Sequence, residues 1–470
     1  MPLTRRALML STAAAGLAGF AGLAGLMMPP AFAARVNGRL SLPAGIWRSR
    51  TTADLFAVGE RACRTYTLYD DAAALTDESD LSDVEGEVLE TRLDDEGHLE
   101  VEYWGTVTRF QYERMDGWPA LPRLEDDAWI SDPNRTVAAF FDILSGHFAF
   151  AAERGIDWAA LRAHCDAALR RGPATQAHLF DTLAESLRAL EDGHGSLRGL
   201  ERYEDSRPWE GQLYRAWKAA GGRPVDGDYS DGFTRGWLDH VRRRILSGSG
   251  HVAAHDTVAW GHLSDGLGYI SLMACEGLSD HEGGHADVLA ARQVFDRAVR
   301  GLGDVRGLIV DLRCNPGGWD RVSLTLASHL TDRTVRAFTK QPVRHGSGLQ
   351  VQTIELAPAQ GARFTGPVAV LTSDSTVSAA EVGTLALRAL PNTRSFGRPT
   401  YGALSDPYKF RLPNGWKGAV SNEIYRAWDG AVYEGSGIPP DQPSAEPSAR
   451  DFWGSIDAQT TDAKTWLLAL

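Results

Sequence analysis

Cysteine is scarce in this 470-residue chain: Cys63, Cys165, Cys275 and Cys314 are scattered, with no CxxC pair. In an oxidising compartment the four would be free to pair, in a connectivity that spacing alone leaves open. A chain of this length does not depend on disulfides for its core. Extended basic runs are missing as well. The formal net charge is −13, and an acidic chain of this kind argues against nucleic acid and against anionic membrane as partners. Beyond the N-terminal segment no apolar run is long enough to span a bilayer. Internal repeats and low-complexity tracts are also absent.

Length sets the first positive expectation, since 470 residues exceed one ordinary core and imply two to three domains. Residues 1–34 read as a targeting segment. Thr4-Arg5-Arg6 precedes an Ala/Gly/Leu-rich run to Met28, and Ala31-Phe32-Ala33 supplies a small-x-small cleavage site. Paired arginines before a mildly apolar stretch resemble a twin-arginine export signal; an ordinary secretory signal and an uncleaved anchor helix are the alternatives. Either signal would place the mature protein outside the cytoplasm, periplasmic or secreted. Cleavage would remove Arg5 and Arg6 and move the net charge from −13 to −15.

Residues 38–125 carry short β-rich runs: Cys63–Tyr69, Val88–Leu93 and His98–Trp104, the last with Leu99, Val101 and Tyr103 on one face. Asp94-Asp-Glu-Gly97 supplies a turn between two of them. A small antiparallel β domain is expected there. After Pro133 the period becomes helical. One helix is expected from Thr136 to Arg154, a second from Trp158 with Asp157 as its cap, and a third from Thr175 to Leu190. The third has Phe180, Leu183, Leu187 and Leu190 in one stripe and stops at Glu191-Asp-Gly-His194-Gly. That makes a three-helix domain over 134–200. Residues 201–262 read as a connecting region, and 263–470 as an α/β domain in which strands and helices alternate. Its strands include Gly268–Leu272, Gly307–Arg313, the stretch before Ser378, Arg394–Gly397 and Tyr408–Leu412. The fold class is therefore α+β, in several domains.

Three motifs carry possible chemistry. His281-Glu-Gly-Gly-His285 spells HExxH, but a zinc site needs both histidines on one helical turn, and two central glycines cost about 1 kcal/mol each there. We expect no metal. Asn315-Pro-Gly-Gly318 follows a buried strand, where glycines permit positive φ and aim N–H groups outward, or simply make a tight turn. Ser378 lies between an apolar strand and a helix, either as an N-cap or as a nucleophile beside the oxyanion-stabilising helix N-terminus. No GxSxG elbow surrounds it.

Taken in order, Gly268-Tyr-Ile-Ser, Asp311-Leu-Arg-Cys-Asn-Pro-Gly-Gly318, Ser378-Ala-Ala-Glu381, Gly397-Arg-Pro-Thr-Tyr-Gly402 and Gly435-Ser-Gly-Ile-Pro-Pro-Asp441 resemble the C-terminal processing (tail-specific) serine protease superfamily. The resemblance implies a crotonase-like α/β spiral core with the nucleophile at a helix start. The tail-specific branch places a lysine base 25 residues after its serine, and here that residue is Ala403. The chain is instead similar to the tricorn-core branch, which implies His194 as general base and Glu434 as the residue that orients it. That branch carries a serine just before its histidine, whereas this chain has Gly193. The same resemblance assigns the oxyanion hole to the N–H groups of Ala379 and of Gly317 or Gly318. Family members often add a PDZ domain, for which 201–262 is too short and irregular. The expectation is a serine endopeptidase acting on peptides or unfolded protein tails, without a cofactor. A non-catalytic ligand carrier on the same fold and a hydrolase of non-peptide esters or amides are the alternatives.

Overall fold

The computed structural model describes residues 44–93, 98–125, 129–209, 211–225, 229–344, 348–445 and 457–470, together with 35–36, 39–40 and residue 42. The targeting segment and the turn at 94–97 lie outside the described residues. The architecture is mixed α+β and contains several sheets.

The N-terminal sheet has eight strands, from Arg123–Leu124 at one edge to Val88–Leu93 at the other. All its pairings are antiparallel except the edge pair, where Arg123–Leu124 runs parallel to Ala73–Asp80. Alternation in Leu99–Tyr103 does what its pattern predicts, burying Leu99, Val101 and Tyr103 with Trp47, Phe56 and Tyr112.

Three helices follow, Pro133–His147, Trp158–Arg171 and Gln176–Arg188, each with a side-chain N-cap: Asp132, Asp157 and Thr175. The first stops well short of Arg154. Phe148 turns extended, and Ala149 N–H donates to Ser421 O at 3.0 Å. The apolar run Phe148–Phe150 continues because it fills the core of this unit, not because the helix does.

The seven-stranded sheet runs His251–Ala253, Val258–His262, Gly268–Leu272, Leu308–Asp311, Val368–Thr372, Thr393–Gly397, Gln442–Pro443. The first two strands, inside the stretch read as a connector, form an antiparallel edge, and every pairing from Gly268–Leu272 onward is parallel. Both faces are covered, as parallel sheets require. Ile270, Val310 and Val370 face helices Gly284–Leu302, Asp320–Ser328 and Ala379–Arg388. Tyr269, Ile309 and Leu371 face Gln212–Ala219, Tyr229–His240 and Ala458–Leu468.

Strand Pro407–Arg411 does not complete this layer, contrary to the sequence reading. It pairs with Lys417–Ser421, which pairs with Ser196–Gly199, in a separate four-stranded sheet closed by Arg202–Asp205. Tyr408, Phe410 and Leu412 bury against Phe180, Leu183 and Leu187. The third helix and this C-terminal return therefore share one core.

Candidate functional site

Ser378 opens helix Ala379–Arg388 in a conformation that side chains rarely adopt, φ 56°, ψ −124°. Strain of this kind costs about 1–3 kcal/mol and persists only where the surroundings hold it. The holding group is Glu381, fully buried one turn into the helix. Its Oε2 accepts from Ser378 N–H at 3.1 Å and Ala403 N–H at 2.8 Å; its Oε1 accepts from Thr400 Oγ1 at 2.6 Å and Gly402 N–H at 2.7 Å. Burial raises its carboxyl above the usual range, and these bonds oppose the rise.

The Asn315–Gly318 turn lies directly against the serine. A Cβ on Gly317 (φ +102°) would fall 2.6 Å from Ser378 Cβ and 3.1 Å from Ala379 N, so only glycine permits this approach. The Gly317 N–H is already donated to Asn315 Oδ1 at 2.9 Å. The neighbouring bridge to Cys275 uses Gly317 C=O and Trp319 N–H, leaving Gly318 N–H outside it. Ala379 N–H, at the first helical position, has no intrahelical acceptor.

His194 sits in the turn after the third helix, 8% exposed. Asp192 builds that turn. Its Oδ1 accepts from His194 N–H at 3.1 Å and from Ser421 Oγ at 2.6 Å, and its Oδ2 from Ser421 N–H at 2.8 Å. Burial holds the imidazole below its ordinary value; Asp192 and Asp406 oppose, while Arg207 and Lys409 add to the depression. The ring Nδ1 is buried without a hydrogen-bond partner.

Glu434 anchors through Oε2, which accepts from Leu404 N–H at 2.8 Å and Ser405 N–H at 3.0 Å. Its Oε1 is buried and unpartnered. Burial, with the negative fields of Asp192 and Glu381, pushes its carboxyl up to about 8.

One segment, 400–405, ties these groups together. It is bound by Glu381 behind Ser378 and by Glu434. It also presses on the histidine turn: a Cβ on Gly193 would fall 2.5 Å from Ala403 Cβ. Arg207 clamps it, donating to Tyr401 O and Gly402 O at 3.0 Å each and to Gly435 O at 3.1 Å. Ser378 and Gly317 are in direct contact. Among the described residues no hydrogen bond joins His194 to Ser378 or to Glu434. Asp192, Glu381 and Arg207 went unassigned in the sequence. Ser378-x-x-Glu381 has capping-box spacing, which is the available signal for Glu381. Asp192 stands two residues before His194. Nothing local marks Arg207.

The HExxH letters do not make a helical site. Helix Gly284–Leu302 begins after Gly283, at φ +111°, so His281 lies before the helix and His285 within it. Groups of three or more His, Cys, Asp or Glu side chains able to hold a metal do not occur among the described residues. The four cysteines are all buried and unbonded to one another. No helix of the described residues is long and apolar enough to cross a membrane.

Residues 266–444 match the model of Peptidase family S41. Among solved structures, a peptidase candidate from Parabacteroides merdae ATCC 43184 superposes with a TM-score of 0.57 at 23% identity, covering 72% of this chain and 98% of that one, which shows a shared fold. Mature CPAF matches with a TM-score of 0.48 at 11% identity, over 71% of this chain and 96% of its own. The photosystem II D1 C-terminal processing protease matches with a TM-score of 0.40 at 15% identity, over 67% and 93%. No curated protein sequence matches the chain.

Proposed function

We propose, from the match of residues 266–444 to the model of peptidase family S41, that Ser378 is the nucleophile of a serine endopeptidase that uses His194, not a lysine, as general base. The observation that carries this is the strained serine at a helix start with Gly317 packed against it. The turn exposes a hydroxyl beside N–H groups that stabilise negative charge.

In the proposed reaction, neutral His194 takes the Ser378 proton as Oγ attacks the scissile carbonyl. The depressed imidazole pKa keeps the base form available below its ordinary value. Ala379 N–H and Gly318 N–H stabilise the tetrahedral oxyanion, each worth about 10²–10³ in rate. Gly317 provides the close approach and keeps its own N–H on Asn315. Protonated His194 then gives its proton to the leaving amine, and water repeats the cycle on the acyl-enzyme. Glu434 orients the imidazole. The support is that His194 Nδ1 and Glu434 Oε1, both in the surroundings of Asp192, are buried without hydrogen-bond partners. Such bonds often tighten only when substrate is bound. Ala403, buried under Glu381, gives no alternative base at the lysine position.

The substrate is a peptide or an unfolded protein segment, and the leader of residues 1–34 supports export of the enzyme. Incubation of purified protein with a peptide library, read by mass spectrometry, tests the proposal. Internal cleavage by wild type and none by Ser378→Ala is the expected result. Cleavage that survives Ser378→Ala, or none by wild type, would overturn it.

A further inference from the structure

The four-stranded sheet beside the histidine turn has an unusual outer face. Its register places Arg411, Lys417, Arg198 and Tyr203 in one cross-strand row and Lys409, Ala419, Ser196 and Asp205 in the next. Tyr408, Phe410, Val420 and Leu197 point into the helical core, so by alternation Lys409, Arg411, Lys417 and Arg198 share the opposite face. Like charges directly opposite on neighbouring strands destabilise a sheet. Here three cations stand consecutively in one row, in a chain of net charge −13.

The face is continuous with the site. Ser196 is two residues from His194, and the row Ser196–Ala419–Lys409 puts Lys409 two strand spacings away, about 10 Å. Lys409 lies in the fields of His194, Asp406 and Glu276. Glu276 directly follows Cys275, the bridge partner of Gly318. Arg411 is anchored elsewhere, donating to Leu75 O and Gly415 O and lying over the Trp129 ring. Lys417 and Arg198 are exposed.

We propose that this basic face is a substrate subsite, selecting peptides that carry Asp or Glu beyond the residues at the scissile bond. The subsite rests on the peptidase reading of Ser378. Four anionic groups bear on this face. Asp205 is engaged by the Tyr203 hydroxyl at 2.6 Å, and burial raises it to about 6. Asp77 acts on Lys417, while Glu276 and Asp406 partly neutralise Lys409. Lys417, repelled by Arg411 and Arg198, therefore supplies with Arg198 most of the attraction for an incoming carboxylate. Charge complementarity of this kind acts first on encounter and register.

The test uses the full chain carrying Ser378→Ala and fluorescence anisotropy with three labelled heptapeptides. Two are C-terminally amidated and differ only in Glu against Gln; the third is the Gln peptide with a free carboxylate. The Glu peptide should bind about tenfold tighter than its Gln match at low salt, two charge contacts at about 0.7 kcal/mol each. The advantage should shrink severalfold at about 0.5 M NaCl. Adding Lys417→Glu with Arg198→Glu should abolish or invert it, and the neutral pair Lys417→Gln with Arg198→Gln, both checked for folding by thermal melts, should reduce it to near unity. Equal binding of the Glu and Gln amides, an advantage that survives both pairs, or one confined to the free-carboxylate peptide would overturn the subsite. Fluorophosphonate labelling of wild type separates the two proposals. Labelling of Ser378 without a Glu advantage sinks the subsite alone, whereas a Glu advantage without labelling sinks the peptidase reading.

Discussion

The serine and the histidine are held by opposite means. Ser378 is positioned within its own α/β layer: a parallel strand, the Asn315–Gly318 turn on the neighbouring strand and Glu381 three residues on fix its backbone. His194 is positioned by partners far away in sequence. Asp192 must reach Ser421, which the chain supplies 229 residues later. Segment 400–405, between the two, touches both. The contrast separates a preformed half-site from one that exists only once the C-terminal return has docked on the helical unit.

Substitutions can break each half separately. Ser378→Ala should have the largest effect, lowering kcat/KM by about 10⁴ or more while leaving the melting temperature near wild type. Gly317→Ala comes next. Its Cβ would fall 2.6 Å from Ser378 Cβ at a φ of +102°, and displacing the proposed oxyanion turn should cost about 10²–10³ in kcat, read by steady-state kinetics. Both changes should leave the histidine half intact, with unaltered protection of the Asp192–His194 amides in hydrogen exchange.

Asp192→Asn acts on the other half. It sets an amide against donors that now meet a carboxylate, with an expected loss of about 2 kcal/mol in denaturant unfolding. Peptidase activity should fall tenfold or so, while Ser378 keeps its fold. Glu434→Gln gives the smallest effect, and its sign depends on pH. A carboxyl raised to about 8 by burial is protonated in the folded protein and ionised in the unfolded one between its ordinary value and 8. Its stabilising share is complete below about 4.5 and is lost as pH rises through 8. Gln does not titrate. The variant should melt with wild type near pH 5 and above it near pH 9 in calorimetry. A difference independent of pH would remove the buried-carboxyl explanation.

The same contrast decides what was legible in the sequence. The strand, turn and helix around Ser378 were readable because every determinant is local: an apolar run, an Asn-Pro-Gly-Gly turn, a Ser-x-x-Glu start. The stripe Phe180, Leu183, Leu187, Leu190 was readable for the same reason. Tyr408–Leu412 was assigned to the wrong sheet, because alternation says which face of a strand is apolar and not which strand lies beside it. The end of the first helix was overrun, since Phe148–Phe150 are apolar for the core they fill. The Asp192–Ser421 and Arg207–Gly402 bonds depend on approaches that no spacing encodes.

The central proposal is that Ser378 reacts through His194. The direct measurement is the rate of Ser378 labelling by a fluorophosphonate across pH, in wild type and in His194→Ala, with the modified residue identified by mass spectrometry. Wild type should show one ascending limb with its midpoint below 6.5, the ordinary histidine value, because burial depresses the imidazole. His194→Ala should lose that limb and label at least about 10²-fold more slowly. Unchanged labelling in His194→Ala, or a limb in the lysine range, would contradict it.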